Sequence, residues 1–205
     1  MATTTDDKPE QKKLRQKERL PEVLNDSEQE RLQAAAVGRR NQALVAVMLD
    51  TGLRVSEICS LKMREVDFSA GRLKVINGKG GKDRIVGLSD VAIGKIKRYL
   101  ARRGDISPNL RLFANRDGSP LTRHGLYQII RRMAKRAGIT KQIHPHTLRH
   151  SFGTDFYRQT KDLELLRQAL GHSNIKTTVL YVKLCADEVV EAMQNFRTNQ
   201  TSSSP

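Results

Sequence analysis

The chain has 205 residues, with 37 lysines and arginines against 22 carboxylates and a formal net charge of +15 at pH 7. Hydrophobic residues make up 38% of it and cysteines number only two, which excludes both a low-complexity basic tail and a disulfide-built scaffold. The positive excess runs along the whole chain and is densest at 95–103 and 131–136, so a polyanion, DNA or RNA, is the expected partner, with binding that weakens steeply in salt.

Residues 1–20 are polar and nearly free of aliphatic side chains; they cannot order by burial and read as a flexible arm. No stretch approaches the ~18 apolar residues that span a membrane, and the polar start is not a secretion signal. A cytoplasmic protein with reduced thiols at Cys59 and Cys185 is expected, with no membrane partner. Asp26 or Ser27 is expected to cap a helix to about 37, with Gln29 or Glu30 in place for a capping box. The apolar run 43–49 predicts a buried helix stopped by Gly52, and a short helix follows over 56–61. The β-branched segments 72–76 and 84–88 flank Asn-Gly-Lys-Gly-Gly-Lys-Asp at 77–83 and read as a hairpin. Helices are expected over 91–102, 122–137, 147–158, 163–170, 175–181 and 186–196, with a disordered tail from 198 to 205. The fold class is α+β, mostly helical with a small antiparallel β-sheet.

Gly78-Lys79-Gly80-Gly81-Lys82 lacks the spacing of a nucleotide-binding P-loop and leads into a strand instead of a helix. It is either an ordinary glycine-rich turn or a tip that carries Lys79 into a groove. Arg54 follows the Gly52 stop, where its guanidinium can be aimed inward and held by Glu57. Alone it would be a structural ion pair. Two arginines on one phosphate are another matter, because the planar fork matches phosphate oxygens bidentately.

Three of the five histidines lie in His144-Pro145-His146-Thr147-Leu148-Arg149-His150. His146 and His150 lack the glutamate of a zinc-binding H-E-x-x-H helix, and no nearby cysteine or carboxylate completes a site, so no metal is expected. His146 and Arg149, three apart on one helical face, are placed to reach the same anion; His150 reads as plain core or capping. Leu170-Gly171-His172-Ser173-Asn174 is a helix stop followed by a new cap, and Tyr181 lies nine residues beyond His172. By itself Tyr181 is a partly buried tyrosine, but Tyr99, Tyr127 and Tyr157 have no similarly placed histidine motif. Arg54, Lys79, His146, Arg149, His172 and Tyr181 together supply the cations and the nucleophile that displacement at a phosphodiester requires.

Thr-Gly-Leu-Arg-Val-Ser-Glu-Ile at 51–58, Gly-Lys-Gly-Gly-Lys-Asp-Arg at 78–84, His-Pro-His-Thr-Leu-Arg-His-Ser-Phe at 144–152 and Leu-Gly-His-Ser-Asn-Ile-Lys-Thr-Thr-Val-Leu-Tyr at 170–181 resemble the catalytic domain of the tyrosine recombinases. That family includes phage integrases and the Xer recombinases. The resemblance implies a catalytic domain over 21–184 and a C-terminal helix over 185–197 that docks on a neighbouring protomer, the alternative being that it packs on its own chain. It implies that Arg54 and Arg149 clamp the scissile phosphate, that His146 and His172 hydrogen-bond it, and that Lys79 protonates the leaving 5′-oxygen. Tyr181 would form a 3′-phosphotyrosyl link to double-stranded DNA, with no cofactor. Lys82, Arg84, Arg123, Arg131 and Arg132 are expected against the DNA. A tetramer on DNA and accessory DNA-bending proteins are the expected partners. Only about 20 polar residues precede the domain, so the chain is expected to be either a naturally short member, similar in layout to the fimbrial inversion recombinases, or a fragment. Relaxation chemistry of the type IB topoisomerase kind, or a DNA-binding regulator without strand exchange, are the alternatives.

Overall fold

The computed structural model describes residues 20–76, 83–104 and 107–186, with two further positions at 190 and 193. In chain order its elements are α1 (Asp26–Ala34), α2 (Arg39–Thr51), α3 (Val55–Ser60), a 3-10 turn (Met63–Glu65), β1 (Val66–Asp67), β2 (Arg72–Val75) and β3 (Arg84–Gly87). Then come α4 (Asp90–Arg103), α5 (Arg123–Arg136), α6 (Pro145–Thr160), α7 (Leu163–Leu170), a second 3-10 turn (Ile175–Thr177) and α8 (Val179–Leu184).

Helix α1 is capped by Asn25, earlier than the expected Asp26 or Ser27. The Asn25 side chain accepts the Glu28 N–H at 2.9 Å, and Glu28 Oε2 accepts the Asn25 N–H at 3.0 Å, closing a reciprocal capping box. Tertiary contacts set that register. Leu24 is buried with its N–H donating to Ser151 Oγ at 2.8 Å, and Glu28 pairs with Lys141 at 2.8 Å.

Helix α2 is apolar on nearly every side, with Ala43 to Met48 and Thr51 all buried. Such a helix needs cover all round, and α4 and α6 supply most of it. The expected stop at Gly52 is present, at a left-handed φ of 57°. A side chain there would also collide with Phe152, 2.3 Å from a Cβ, so both backbone and space demand glycine. Helix α6 lies close to α2 because its buried polar side chains bond to their own helix: Ser151 Oγ to the Thr147 carbonyl and Thr154 Oγ1 to the His150 carbonyl.

The sheet has three antiparallel strands in the order β1-β2-β3, one more than the hairpin expected. The added strand is two residues long, too short to carry an alternating pattern. Leu73 and Val75 of β2 and Val86 of β3 face the core. The β2–β3 register pairs Val75 with Arg84, which puts Arg84 at the end of β3 that borders α7. The expected helix over 175–181 is split into a 3-10 turn and α8 at Thr177 and Thr178, two β-branched residues of which the second is fully buried.

Two apolar clusters result. The main core surrounds α2; a small second one joins Leu166, Leu170 and Tyr181, with Phe152, Phe156, Tyr157 and Leu184 against them. Cys59 and Cys185 are not joined in a disulfide. Among the described residues no helix is long and apolar enough to cross a membrane. The expected arm, helix over 186–196 and tail lie outside the described residues, apart from positions 20, 186, 190 and 193.

Candidate active site

Three guanidinium groups converge on the C-terminal end of α7. Arg84 Nε donates to the Ala169 carbonyl at 3.0 Å, Arg149 Nη2 to the Leu170 carbonyl at 2.8 Å, and Arg54 Nη2 to the Gly171 carbonyl at 3.0 Å. A helix leaves its last carbonyls without intrahelical partners, and they carry the negative end of its dipole. Like charges that would repel one another are thereby held side by side.

Glu57, buried and three residues after Arg54, ties two of them together. Its Oε1 accepts from Arg54 Nη1 at 2.9 Å and Arg84 Nη1 at 2.8 Å; Oε2 accepts from Arg84 Nη2 at 2.9 Å and the Arg54 backbone N–H at 2.7 Å. Burial opposes its ionisation, but the Arg84 hydrogen bonds and charge, with Arg54, outweigh burial and hold the carboxyl at about 2. Arg149 also donates from Nη1 to the Gly52 carbonyl, at 2.6 Å. Burial, then repulsion from Arg54, lowers its pKa to about 10, so it stays charged at neutral pH.

His172 Nε2 lies 3.0 Å from Arg149 Nη2, and its Nδ1 lies 3.1 Å from Thr178 Oγ1. A guanidinium only donates, so Nε2 is the acceptor and the ring proton sits on Nδ1, donating to the threonine. Burial, then Arg149 and Arg54, pushes its pKa down to about 4. His146 is exposed, in the first turn of α6. Its pKa is lowered by partial burial, then by His144, Arg149 and Arg54, which puts it in electrostatic reach of both arginines. A cavity of about 760 Å³ opens beside His172, lined in part by Arg84, Phe152, Phe156, Leu165 and Gly171.

Tyr181 belongs to the second core and is 1% exposed. Its hydroxyl is 3.3 Å from His150 Nδ1, and its ring fills a slot over Gly153, where a Cβ would sit 2.3 Å from the ring. Burial raises its pKa, while Arg149 and Arg54 act in the opposite direction. The tyrosine is thus within the field of both arginines, with its hydroxyl turned toward His150. His150, expected to be plain core or capping, is instead the partner of that hydroxyl, with a pKa pushed by burial, then by His146 and Arg149, to about 4.

Other expected positions fall as follows. Lys79 and Lys82 lie outside the described residues. Arg84, expected against DNA, is turned inward with its side chain 9% exposed and its N–H groups on Glu57 and Ala169. The short β3 and α7 bring these together in space, which nothing in the local sequence announces. Arg123, Arg131 and Arg132 are exposed on α5, while Leu126, Ile129, Ile130 and Met133 face the core. Gly153 and Thr178 also belong to the site, against the Tyr181 ring and the His172 ring, although no motif marks them. A glycine in mid-helix costs about 1 kcal/mol against alanine, and that was the available signal that something approaches α6 closely there.

Two measurements check this geometry. Both His150 and His172 drop from the ordinary 6.5 to about 4 in the folded protein. As pH falls from 6.5 toward 4, the unfolded chain takes up protons that the folded one refuses. Stability is therefore complete above the upper value and lost through that window; Tm is expected to be flat above pH 7 and to fall below 6.5, with part of the slope removed by His150→Gln. Gly153→Ala puts a methyl group into the tyrosine ring and is expected to cost about 1–3 kcal/mol. The chain has no tryptophan and four tyrosines, so a change in tyrosine fluorescence would report displacement of the ring. An unchanged Tm and spectrum would disprove the slot.

Residues 16–188 match the phage integrase family. The chain belongs to that family. The tyrosine recombinase XerD of Listeria monocytogenes is 36% identical over 89% of this chain and 64% of its own length. The crystal structure of XerA recombinase superposes with a TM-score of 0.79 at 33% identity, covering 95% of this chain and 67% of that one. A structure of XerH site-specific recombinase bound to palindromic difH substrate, a post-cleavage complex, has a TM-score of 0.74 at 31% identity over 87% of this chain and 54% of that one. This integrase-family chain thus spans less than two thirds of the XerD chain. Its α+β architecture, mostly helical with a three-stranded antiparallel sheet, is that of a tyrosine recombinase catalytic domain.

Proposed function

We propose that the chain is the catalytic part of a site-specific DNA recombinase that cleaves and rejoins strands through a 3′-phosphotyrosyl intermediate at Tyr181. The observation that carries the reading is the convergence of Arg54 and Arg149 on neighbouring carbonyls, beside His172 and within the field that reaches Tyr181. Fixed positive charge of that kind stabilises the oxygens of a phosphate under attack. The net charge of +15 suits a DNA partner.

In the proposed reaction Arg54 and Arg149 hold the non-bridging oxygens and His146 hydrogen-bonds them; His172 joins once Arg149 turns to the phosphate and the ring proton moves from Nδ1 to Nε2, since a phosphate oxygen only accepts. The Tyr181 phenol gives up its proton, with His146 helping to move it, and its oxygen bonds to phosphorus as the bond to the 5′-oxygen breaks. Lys79 protonates that departing oxygen. Attack by a 5′-hydroxyl reverses the step and frees the tyrosine, so the bond energy is kept without a cofactor. The hydroxyl has to leave His150 and the Gly153 slot first. It sits in the small second core on α8, a helix of six residues, and such lightly anchored elements open at lower free energy than a main core. The same reading takes 21–184 as the catalytic domain, 185–197 as a segment docking on a neighbour within a tetramer, Arg123, Arg131 and Arg132 as DNA contacts, and a cytoplasmic protein working with DNA-bending helpers.

The deciding experiment selects, from a random duplex library containing nicks, sequences that become covalently attached to the protein. An adduct that survives denaturation and maps to Tyr181 is the expected result. Recovery of bound but never covalently attached DNA would leave a binding protein and defeat the proposal.

A further inference from the structure

We infer that Arg84 is a positioning residue that keeps Glu57 fully occupied, so that Glu57 steadies the Arg54 guanidinium without neutralising it. The inference rests on the recombinase reading of the site. A carboxylate offers about four lone-pair directions, and all are taken here. Arg84 fills one on each oxygen through Nη1 and Nη2, at 2.8 and 2.9 Å; the Arg54 backbone N–H and Nη1 fill the others, at 2.7 and 2.9 Å. The Arg84 and Glu57 side chains are only 9% and 7% exposed, so the carboxylate is met by these donors and not by bulk water.

Arg84 has no spare fork for DNA, because its Nε is on the Ala169 carbonyl. Its effect has to travel through Glu57. Without it, a buried carboxylate would be left with Arg54 as its sole cation. The stable solution is then a two-point pair between them, since planar guanidinium and carboxylate match in that geometry. Such a pair draws Arg54 Nη2 off the Gly171 carbonyl and turns its charge away from the phosphate. The charge balance moves the same way. Three guanidinium groups against one carboxylate leave two net positive charges, and removing Arg84 leaves one. A phosphodiester carries one negative charge and gains a second as the nucleophile adds.

The test compares the full chain with Arg84→Ala and Arg84→Lys. Single-turnover adduct formation is measured on a captured duplex bearing either an ordinary phosphodiester or an uncharged methylphosphonate at the scissile position, with Tm as a fold control. On the phosphodiester, Arg84→Ala is expected to be slower by about a hundredfold and Arg84→Lys, which keeps the charge but loses the fork, by about tenfold. On the methylphosphonate, where less charge has to be met, Arg84→Ala should come within about fivefold of the parent chain. An equal defect on both substrates, or none on either, would overturn the inference; should the alanine variant not fold, the lysine variant is judged by the same comparison.

A second arm does not need cleavage. Inorganic phosphate is titrated while the Nε–Hε NMR signals of Arg54 and Arg149 are followed, and Arg84→Ala should displace the Arg54 signal and weaken its phosphate response. An unmoved Arg54 signal would overturn the inference. Failure of the parent chain to form any adduct, with the Arg54 signal displaced as expected, would instead defeat the recombinase reading alone.

Discussion

Tyr181→Phe is expected to abolish covalent capture of nicked DNA, a loss greater than about 10⁴-fold, because in the proposed reaction its phenol supplies the attacking oxygen. Only one atom is removed, and the ring still fills its slot over Gly153. Its contact with His150 is long, at 3.3 Å, so the hydroxyl contributes little to stability; a net hydrogen bond is worth about 1 kcal/mol. Binding to DNA and Tm should both stay near those of the parent chain. The measurement is a denaturing gel of the protein–DNA adduct beside a native gel of the complex. Undiminished capture by the variant would remove Tyr181 from the proposed reaction.

Arg149→Ala is the second large effect, and here chemistry and fold are hit together. The side chain joins the Gly52 carbonyl at the end of α2 to the Leu170 carbonyl at the end of α7, and it touches His172. Truncation leaves two buried acceptors short of a donor, at about 1–3 kcal/mol for each buried group left unmade. Relief from burying a charge offsets part of that, since burial already weighs against the guanidinium. Urea unfolding should show a net loss, and single-turnover cleavage at saturating DNA should fall by about 10²–10³-fold. Arg149→Lys keeps the charge yet cannot span both carbonyls, so it should recover stability better than rate. Cleavage by Arg149→Ala at the parent rate would show that this cation does not act on the phosphate.

Much of this architecture was legible in the chain. The apolar run before Gly52, the hairpin pattern around 77–83 and the stop at Gly171 are local signals, and the elements follow them. The failures are of a different kind. The α1 cap moved to Asn25 because Leu24 and Ser151, far apart in sequence, fix where the helix starts. Arg84 read as one more cation for DNA, since its partner Glu57 is 27 residues away and Ala169 is 85 away. His150 read as filler, because its tie to Tyr181 is made only when α8 folds back on α6. Residue types announce which chemistry is possible; a pairing between distant elements is settled by how they stack, and no single stretch records it. Lys79 illustrates the remaining case, since its proposed role comes from the motif around it.

The row of carbonyls at the end of α7 has a consequence for how such a site would answer its substrate. Each of those oxygens takes a single N–H, one from Arg54 and one from Arg149, out of the five that a guanidinium carries. The carbonyls therefore fix the direction of the remaining N–H groups, which in the proposed reaction are the ones that meet the phosphate. The chain leaving Gly171 leads within ten residues to Tyr181. One stretch of backbone thus sets both the aim of the cations and the root of the segment that bears the proposed nucleophile.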